Sequence, residues 1–240
     1  MIKEFSRELL RDPECGILFD YQSDHDTLFI CFAGGGPDMA TSPPFEFSGV
    51  LRNLDVKKMF VRDISNCVYH NGLKHLSGNF EETTGILAAE VKRSGCKRVV
   101  TIGNCQGAYA AIYYGAMLQA DLVLAFAPLT FVDEENRTRY GEKRWPDGFE
   151  RLYNCGTAAP HLYDLTTLPE TQDLPIDIYY DPHYVPDTNL VQHFIPGKTN
   201  IRVYERPGGE HLLVRNLKKS GELDEILEKA CSSERALNIR

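Results

Sequence analysis

The 240-residue sequence has no long apolar run: no stretch approaches the roughly 20 residues that a bilayer-spanning helix needs, so no membrane partner is expected. It has no excess of basic charge either. Lys and Arg number 26 against 34 Asp and Glu, a formal net charge of -8, and a surface of that sign disfavours nucleic acid and anionic lipid as partners. Cysteine occurs at positions 15, 31, 67, 96, 105, 155 and 231 but never as Cys-x-x-Cys, which leaves out the usual zinc and thioredoxin-like spacings. The opening Met1-Ile2-Lys3-Glu4-Phe5-Ser6-Arg7 lacks the apolar heart of a signal peptide. With unpaired thiols, that predicts a cytoplasmic protein. Neither phosphate-cradling pattern, Gly-x-x-x-x-Gly-Lys-Ser/Thr or Gly-x-Gly-x-x-Gly, surrounds the glycine loop at 34–36. Asp24, His25 and Asp26 are adjacent at a turn, where neighbouring side chains point apart, so they form no metal site. No cofactor is expected, and no internal repeat is visible.

What the sequence does have is a focal stretch, Val99-Val100-Thr101-Ile102-Gly103-Asn104-Cys105-Gln106-Gly107-Ala108-Tyr109-Ala110-Ala111. An apolar run breaks into Gly-x-Cys-x-Gly and then into small helix formers, which predicts a strand, a sharp turn and a helix with Cys105 at the apex. Gly103 and Gly107 allow strand end and helix start to pass closely, and the alanines keep the helix flank thin. The positive end of the helix lies beside the sulfur and favours thiolate.

Strand patterns recur along the rest of the chain. Ile17–Tyr21 and Thr27–Ala33 read as a hairpin around a polar turn, followed by strands over Lys58–Asp63, Arg98–Ile102, Asp121–Pro128, Pro175–Asp181 and Asn200–Glu205. A helix capped by Asn79, with Glu82 three residues on and Gly95 closing it, separates two of these strands. Another runs from about Asp187 to Phe194, and a closing helix carries Leu223, Ile226, Leu227 and Ala230 on one face. Strands alternating with helices predict an α/β fold with a mostly parallel sheet, helices on both faces and the site at the strand C-terminal ends. Residues 129–174 show no strand pattern, and their basic and aromatic side chains around Trp145 predict an ordered cap.

The strand-end rule selects the other candidates. Asp63, Tyr69 and His70 follow a strand and are candidate substrate contacts, together with Trp145. His211, in Gly-Gly-Glu-His after the last strand, is the candidate base. The acid is Asp181 by its place at a strand end, with Asp187 one turn further and Asp133 after the preceding strand as alternatives. Backbone amides of Gly34 and Gly35, after a buried strand, together with that of Gln106, suit an oxyanion hole.

The Gly-Asn-Cys-Gln-Gly turn resembles the nucleophile elbow of the α/β-hydrolase superfamily, and cysteine at its apex is similar to dienelactone hydrolases and polyhydroxyalkanoate synthases. The resemblance runs from the glycine loop to the histidine turn. It implies the order nucleophile, acid, histidine, filled here by Cys105, Asp181 and His211, in one α/β-hydrolase domain over residues 1–240 with a cap insertion. The chemistry implied is acyl transfer or hydrolysis of an activated ester or thioester, free or carrier-bound, through an acyl-cysteine. A homo-oligomer stays open, and the competing reading is a hydrolase-fold binding protein with an inert elbow.

Overall fold

A computed structural model of the chain describes residues 1–35, 43–157 and 159–232. Gly36 and Pro37 of the glycine loop lie outside the described residues. Eight strands, β1 (Ile2–Glu4), β2 (Ile17–Asp20), β3 (Thr27–Phe32), β4 (Lys57–Val61), β5 (Arg98–Asn104), β6 (Leu122–Phe126), β7 (Ile176–Tyr180) and β8 (Ile201–Glu205), form one sheet in the order 1-2-4-3-5-6-7-8. All neighbours are parallel except β2 and β4.

The helices are α1 (Ser48–Leu51), α2 (Phe80–Ser94), α3 (Gln106–Met117), α4 (Glu134–Tyr140), α5 (Pro146–Asn154), α6 (Val185–Phe194), α7 (Leu213–Ser220) and α8 (Glu222–Cys231). They divide between the faces of the sheet, and the period-2 geometry of the strands sorts the core accordingly. Leu28, Ile30 and Phe32 of β3 face the cluster built with α2, α3 and α6, while Phe29 and Cys31 face the one built with α1, α7 and α8. Val123 and Ala125 against Leu122, Leu124 and Phe126 repeat this alternation in β6. Burial on both sides is why these strands read as continuous apolar runs.

One expectation is overturned. Ile17–Tyr21 and Thr27–Ala33 do not pair as a hairpin: β4 lies between them, antiparallel to β2 and parallel to β3. All six residues of β3 are buried, so it needs hydrogen-bonded neighbours on both edges, and β4 and β5 supply them.

Local signals fix the helices that frame the site. Asn79 Oδ1 accepts the Glu82 N–H at 2.8 Å, and Gly95 closes α2 in the left-handed region at φ 62°. The approach of α3 to β3 and β5 depends on two glycines. A Cβ on Gly103 would stand 2.0 Å from the Gly107 carbonyl oxygen, and one on Gly107 would stand 2.3 Å from that of Phe32. Between β6 and β7 the chain forms α4, α5 and three short 3-10 turns, with an isolated bridge from Phe131 to Asp164. None of the helices among the described residues is long and apolar enough to cross a membrane.

Candidate active site

Cys105 stands between the end of β5 and the first residue of α3 with φ 54° and ψ −122°. A non-glycine residue held there costs on the order of 1–3 kcal/mol, and neighbouring hydrogen bonds hold it in place. Its N–H donates to Phe126 O at 3.0 Å, and its carbonyl accepts from Ala108 at 3.0 Å and Tyr109 at 3.2 Å. The residue is 9% exposed and lines the same cavity as His211.

His211 sits in the 3-10 turn Glu210–Leu212 beyond β8. Its Nδ1 is 3.0 Å from both carboxylate oxygens of Asp187, which is fully buried in the first turn of α6. Burial alone would pull the imidazole down, but the Cys105 sulfur and the Asp187 carboxylate outweigh it and push it up to about 10.

The acid expected from the strand-end rule is corrected by this geometry. Asp181 does end the sheet, but its carboxylate is occupied by the backbone. Oδ2 accepts N–H groups from Gly208, Gly209 and Glu210 at 2.8–2.9 Å, and Oδ1 accepts that of His183 at 3.0 Å. It fixes the loop that carries His211 and holds Glu210 in its left-handed conformation at φ 46°. Asp133 is occupied too, capping α4 through the Asn136 N–H at 2.7 Å.

A cavity of about 240 Å³ opens above Cys105. Gly34, Gly35 and Gln106 line it on one side with Glu46 and Asn104, and Val68, Leu129, Trp145, Phe149 and Leu212 line the rest. The Gly34 amide lies toward the Glu46 carboxylate. Burial pushes Glu46 up to about 7 against the opposing pull of that amide, the Asn104 side chain and His211. Glu46 thus sits between the glycine loop and the end of β5.

Three of the expected substrate contacts do other work. Asp63 is fully buried and gathers the backbone N–H groups of Ser65, Cys67 and Tyr69 at 2.7–2.9 Å. Tyr69 is fully buried as well and donates its hydroxyl to Ala33 O at 2.9 Å. His70, packed on Phe80 with ring centroids 4.6 Å apart, is pushed down to about 3 by burial, with His161 adding to the shift, and stays neutral. The loop still reaches the cavity, through Asn66 and Val68, which lie in the left-handed region at φ 50° and 52°. Of the four, Trp145 lines the cavity, its ring centroid 5.0 Å from that of His211.

Sequence reasoning missed Glu46, Asn66, Val68, Glu142 and Arg144. Arg144 Nη1 is 2.8 Å from Asp187 Oδ1, and Glu142 holds the other side of its guanidinium. No motif marks these positions, although Asn104 could have been flagged as a neighbour of Cys105. Among the described residues no group of three or more His, Cys, Asp or Glu side chains is placed to hold a metal.

Chains of known structure share this architecture. One, in the Gap123 glycosylation-associated protein complex of Streptococcus agalactiae, superposes with a TM-score of 0.63 at 15% identity, over 91% of this chain and 44% of that one. This chain therefore spans less than half of that streptococcal chain. A capsule O-acetyltransferase of Neisseria meningitidis serogroup A superposes with a TM-score of 0.64 at 11% identity, over 87% of this chain and 90% of that one. For an esterase of Pyrococcus furiosus the values are 0.53, 12%, 88% and 81%. No protein-family profile and no curated protein sequence matches the chain. At these identities the likeness is one of fold, and the fold is that of the α/β-hydrolases.

Proposed function

We propose that the chain is an acyl-transfer enzyme in which Cys105, His211 and Asp187 act as nucleophile, base and acid. One observation carries this: a cysteine held at a strained strand-to-helix apex shares a cavity with a histidine that is itself hydrogen-bonded to a buried carboxylate. The sulfur anion adds to the acyl carbonyl, and the amides of Gly35 and Gln106, residues that line the cavity, receive the oxyanion. The carbon–leaving-group bond then breaks, the leaving group takes the proton from His211, and acyl-Cys105 remains. In the second half-reaction neutral His211 removes a proton from water or an alcohol, whose oxygen adds to the thioester, and the thiol returns. The fold likeness to an O-acetyltransferase and an esterase supports acyl chemistry of this kind.

The segment over residues 129–174 supplies Trp145, Gly148 and Phe149 to the cavity and serves as its cap. A cavity of about 240 Å³ suits a short acyl chain. Acetyl esters are expected to acylate Cys105 at least about tenfold faster than octanoyl esters, because a long chain must displace the cap. Burst kinetics with p-nitrophenyl esters of both lengths measure this.

The decisive experiment is intact-mass analysis after incubation with p-nitrophenyl acetate or an acetyl thioester. A gain of one acetyl group, mapped to Cys105 and absent in Cys105→Ala, is the expected result. Iodoacetamide should likewise label Cys105 ahead of the other six cysteines. A thiol inert to both reagents overturns the enzymatic reading and leaves a binding protein.

A further inference from the structure

Among the described residues, the cap segment meets the His211–Asp187 pair through the Arg144 guanidinium and the ring of Trp145. Arg144 precedes α5, and its guanidinium is only slightly exposed. Nη1 lies 2.8 Å from Asp187 Oδ1 and 3.2 Å from His211 Nδ1. On its far side Nε lies 3.0 and 2.9 Å from the two Glu142 carboxylate oxygens, and Nη2 lies 2.5 Å from one of them. The Arg144 N–H also donates to Glu142, and the Trp145 ring packs under the guanidinium at 4.5 Å. The cation therefore has one position and cannot swing away without unpairing a buried carboxylate.

Such a cation does not help the first half-reaction, in which the imidazolium stands beside a sulfur anion. It matters once the sulfur is acylated. The sulfur then carries no charge, and the charged groups still facing His211 are Asp187, Arg144 and, across the cavity, Glu46; Trp145 and Tyr184 contribute only ring faces. Asp187, joined by Glu46 above about pH 7 where its carboxyl is ionised, favours the protonated imidazole, whereas deacylation requires a neutral one. Arg144 offsets the carboxylate nearest the ring. On the acyl-transfer reading above, we propose that Arg144 is a positioning residue for the second half-reaction, which delivers a fixed positive charge to the His211–Asp187 pair only while the cap is docked. Deacylation is thereby coupled to a closed site, where the acceptor rather than bulk water meets the thioester.

Deacylation of the acetyl-enzyme formed from p-nitrophenyl acetate, followed against pH, tests this in wild type, Arg144→Gln and Arg144→Lys. In the glutamine variant the acid limb of the profile should move upward by about one pH unit, making deacylation about tenfold slower below it. The lysine variant, which keeps the charge, should restore most of the shift. A uniform loss at every pH with an unmoved limb means that Arg144 only anchors the cap, and overturns the inference. A second measurement needs no variant. In wild type carbamidomethylated at Cys105, where the sulfur is likewise uncharged, the NMR titration of His211 should fall to near the ordinary value of about 6.5; a midpoint that stays well above it overturns the inference. Absence of any Cys105 adduct would instead bring down the acyl-enzyme reading itself, and this proposal with it.

Discussion

Asp187→Asn should lower the rate of Cys105 acylation by about 10³–10⁴-fold, the loss that follows when a triad histidine is left in the wrong tautomer. The carboxylate receives His211 Nδ1 at 3.0 Å from within a fully buried site. An amide there presents an N–H where the imidazole needs an acceptor, and it leaves Arg144 with Glu142 as its remaining counter-ion. Asp181→Asn should behave differently, with far less effect on chemistry and a clear loss of stability. Its carboxylate accepts four backbone N–H groups, and hydrogen bonds to charged groups contribute about 1.5–3 kcal/mol each without being additive. Burial pushes this carboxyl up, but the amides of Glu210, His183, Gly208 and Gly209 outweigh it and hold it below the ordinary carboxylate range. A carboxyl lowered in the folded state contributes stability above its unfolded value of about 3.9, and loses that contribution as pH falls through the folded value. Urea midpoints of wild type and Asp181→Asn should therefore differ at pH 7 and converge in acid. Single-turnover acylation separates the two roles, and a larger kinetic loss in Asp181→Asn than in Asp187→Asn would return the acid to the strand end.

Gly107→Ala is expected to be the most damaging single methyl in the protein apart from its counterpart at Gly103. The new Cβ would sit 2.3 Å from Phe32 O and 2.7 Å from Ala33 C. These are backbone atoms of a strand buried on both faces and of the turn into the glycine loop, so no side chain can yield. Either α3 moves off the sheet, taking Cys105 with it, or β3 bends and the Gly34–Gly35 amides move. A loss above about 4 kcal/mol is the expected order, which for a chain of this size lowers Tm by roughly 10 °C or abolishes soluble expression. Gly85→Ala in α2 is the control with the opposite sign. Nothing lies within 4 Å of the point where its Cβ would stand, so an exchange that favours the helix should gain about 0.5–1 kcal/mol. Thermal unfolding of the two variants decides the matter: a Gly107→Ala protein as stable as wild type would mean that the close approach of α3 is not required.

These contrasts show which parts of the site can be read from the chain. Cys105, Gln106 and the flanking glycines are contiguous, and backbone sterics alone demand that pattern, so the turn is legible with its geometry. His211 is legible because it follows a strand directly. Asp187 ranks only second by sequence, since a strand-end rule counts residues along the chain and cannot see that three amides of the 208–210 loop occupy Asp181. Asp63, Tyr69 and His70 have the right location and the wrong orientation. Loop residues point inward or outward according to local φ values, and the left-handed values at Asn66, Val68 and Tyr69 have no glycine to announce them. Glu46 and Arg144 reach the site from segments without periodicity, so only the fold brings them there. In the sheet seven of the eight strands are legible from the sequence, but the short edge strand β1 (Ile2–Glu4) is not, and neither is the insertion of β4 between β2 and β3, because pairing depends on partners distant in sequence.

The Asp63 loop carries a consequence for how this pocket could change over generations. One internal carboxylate holds the loop's backbone by binding amides on either side of Asn66 and Val68, the two side chains it shows to the cavity. Much of the shape is thus stored in a residue that no ligand meets, with the Asn66 N–H adding a turn bond to Asp63 O at 3.2 Å. Such a division lets a lineage redraw one wall of its pocket by single exchanges at positions 66 and 68 without first rebuilding the loop. The left-handed backbone at both positions narrows the alphabet toward asparagine, aspartate and glycine. Replacing Val68, a β-branched residue held at φ 52°, by asparagine or glycine would then reshape this wall and relieve backbone strain in the same step.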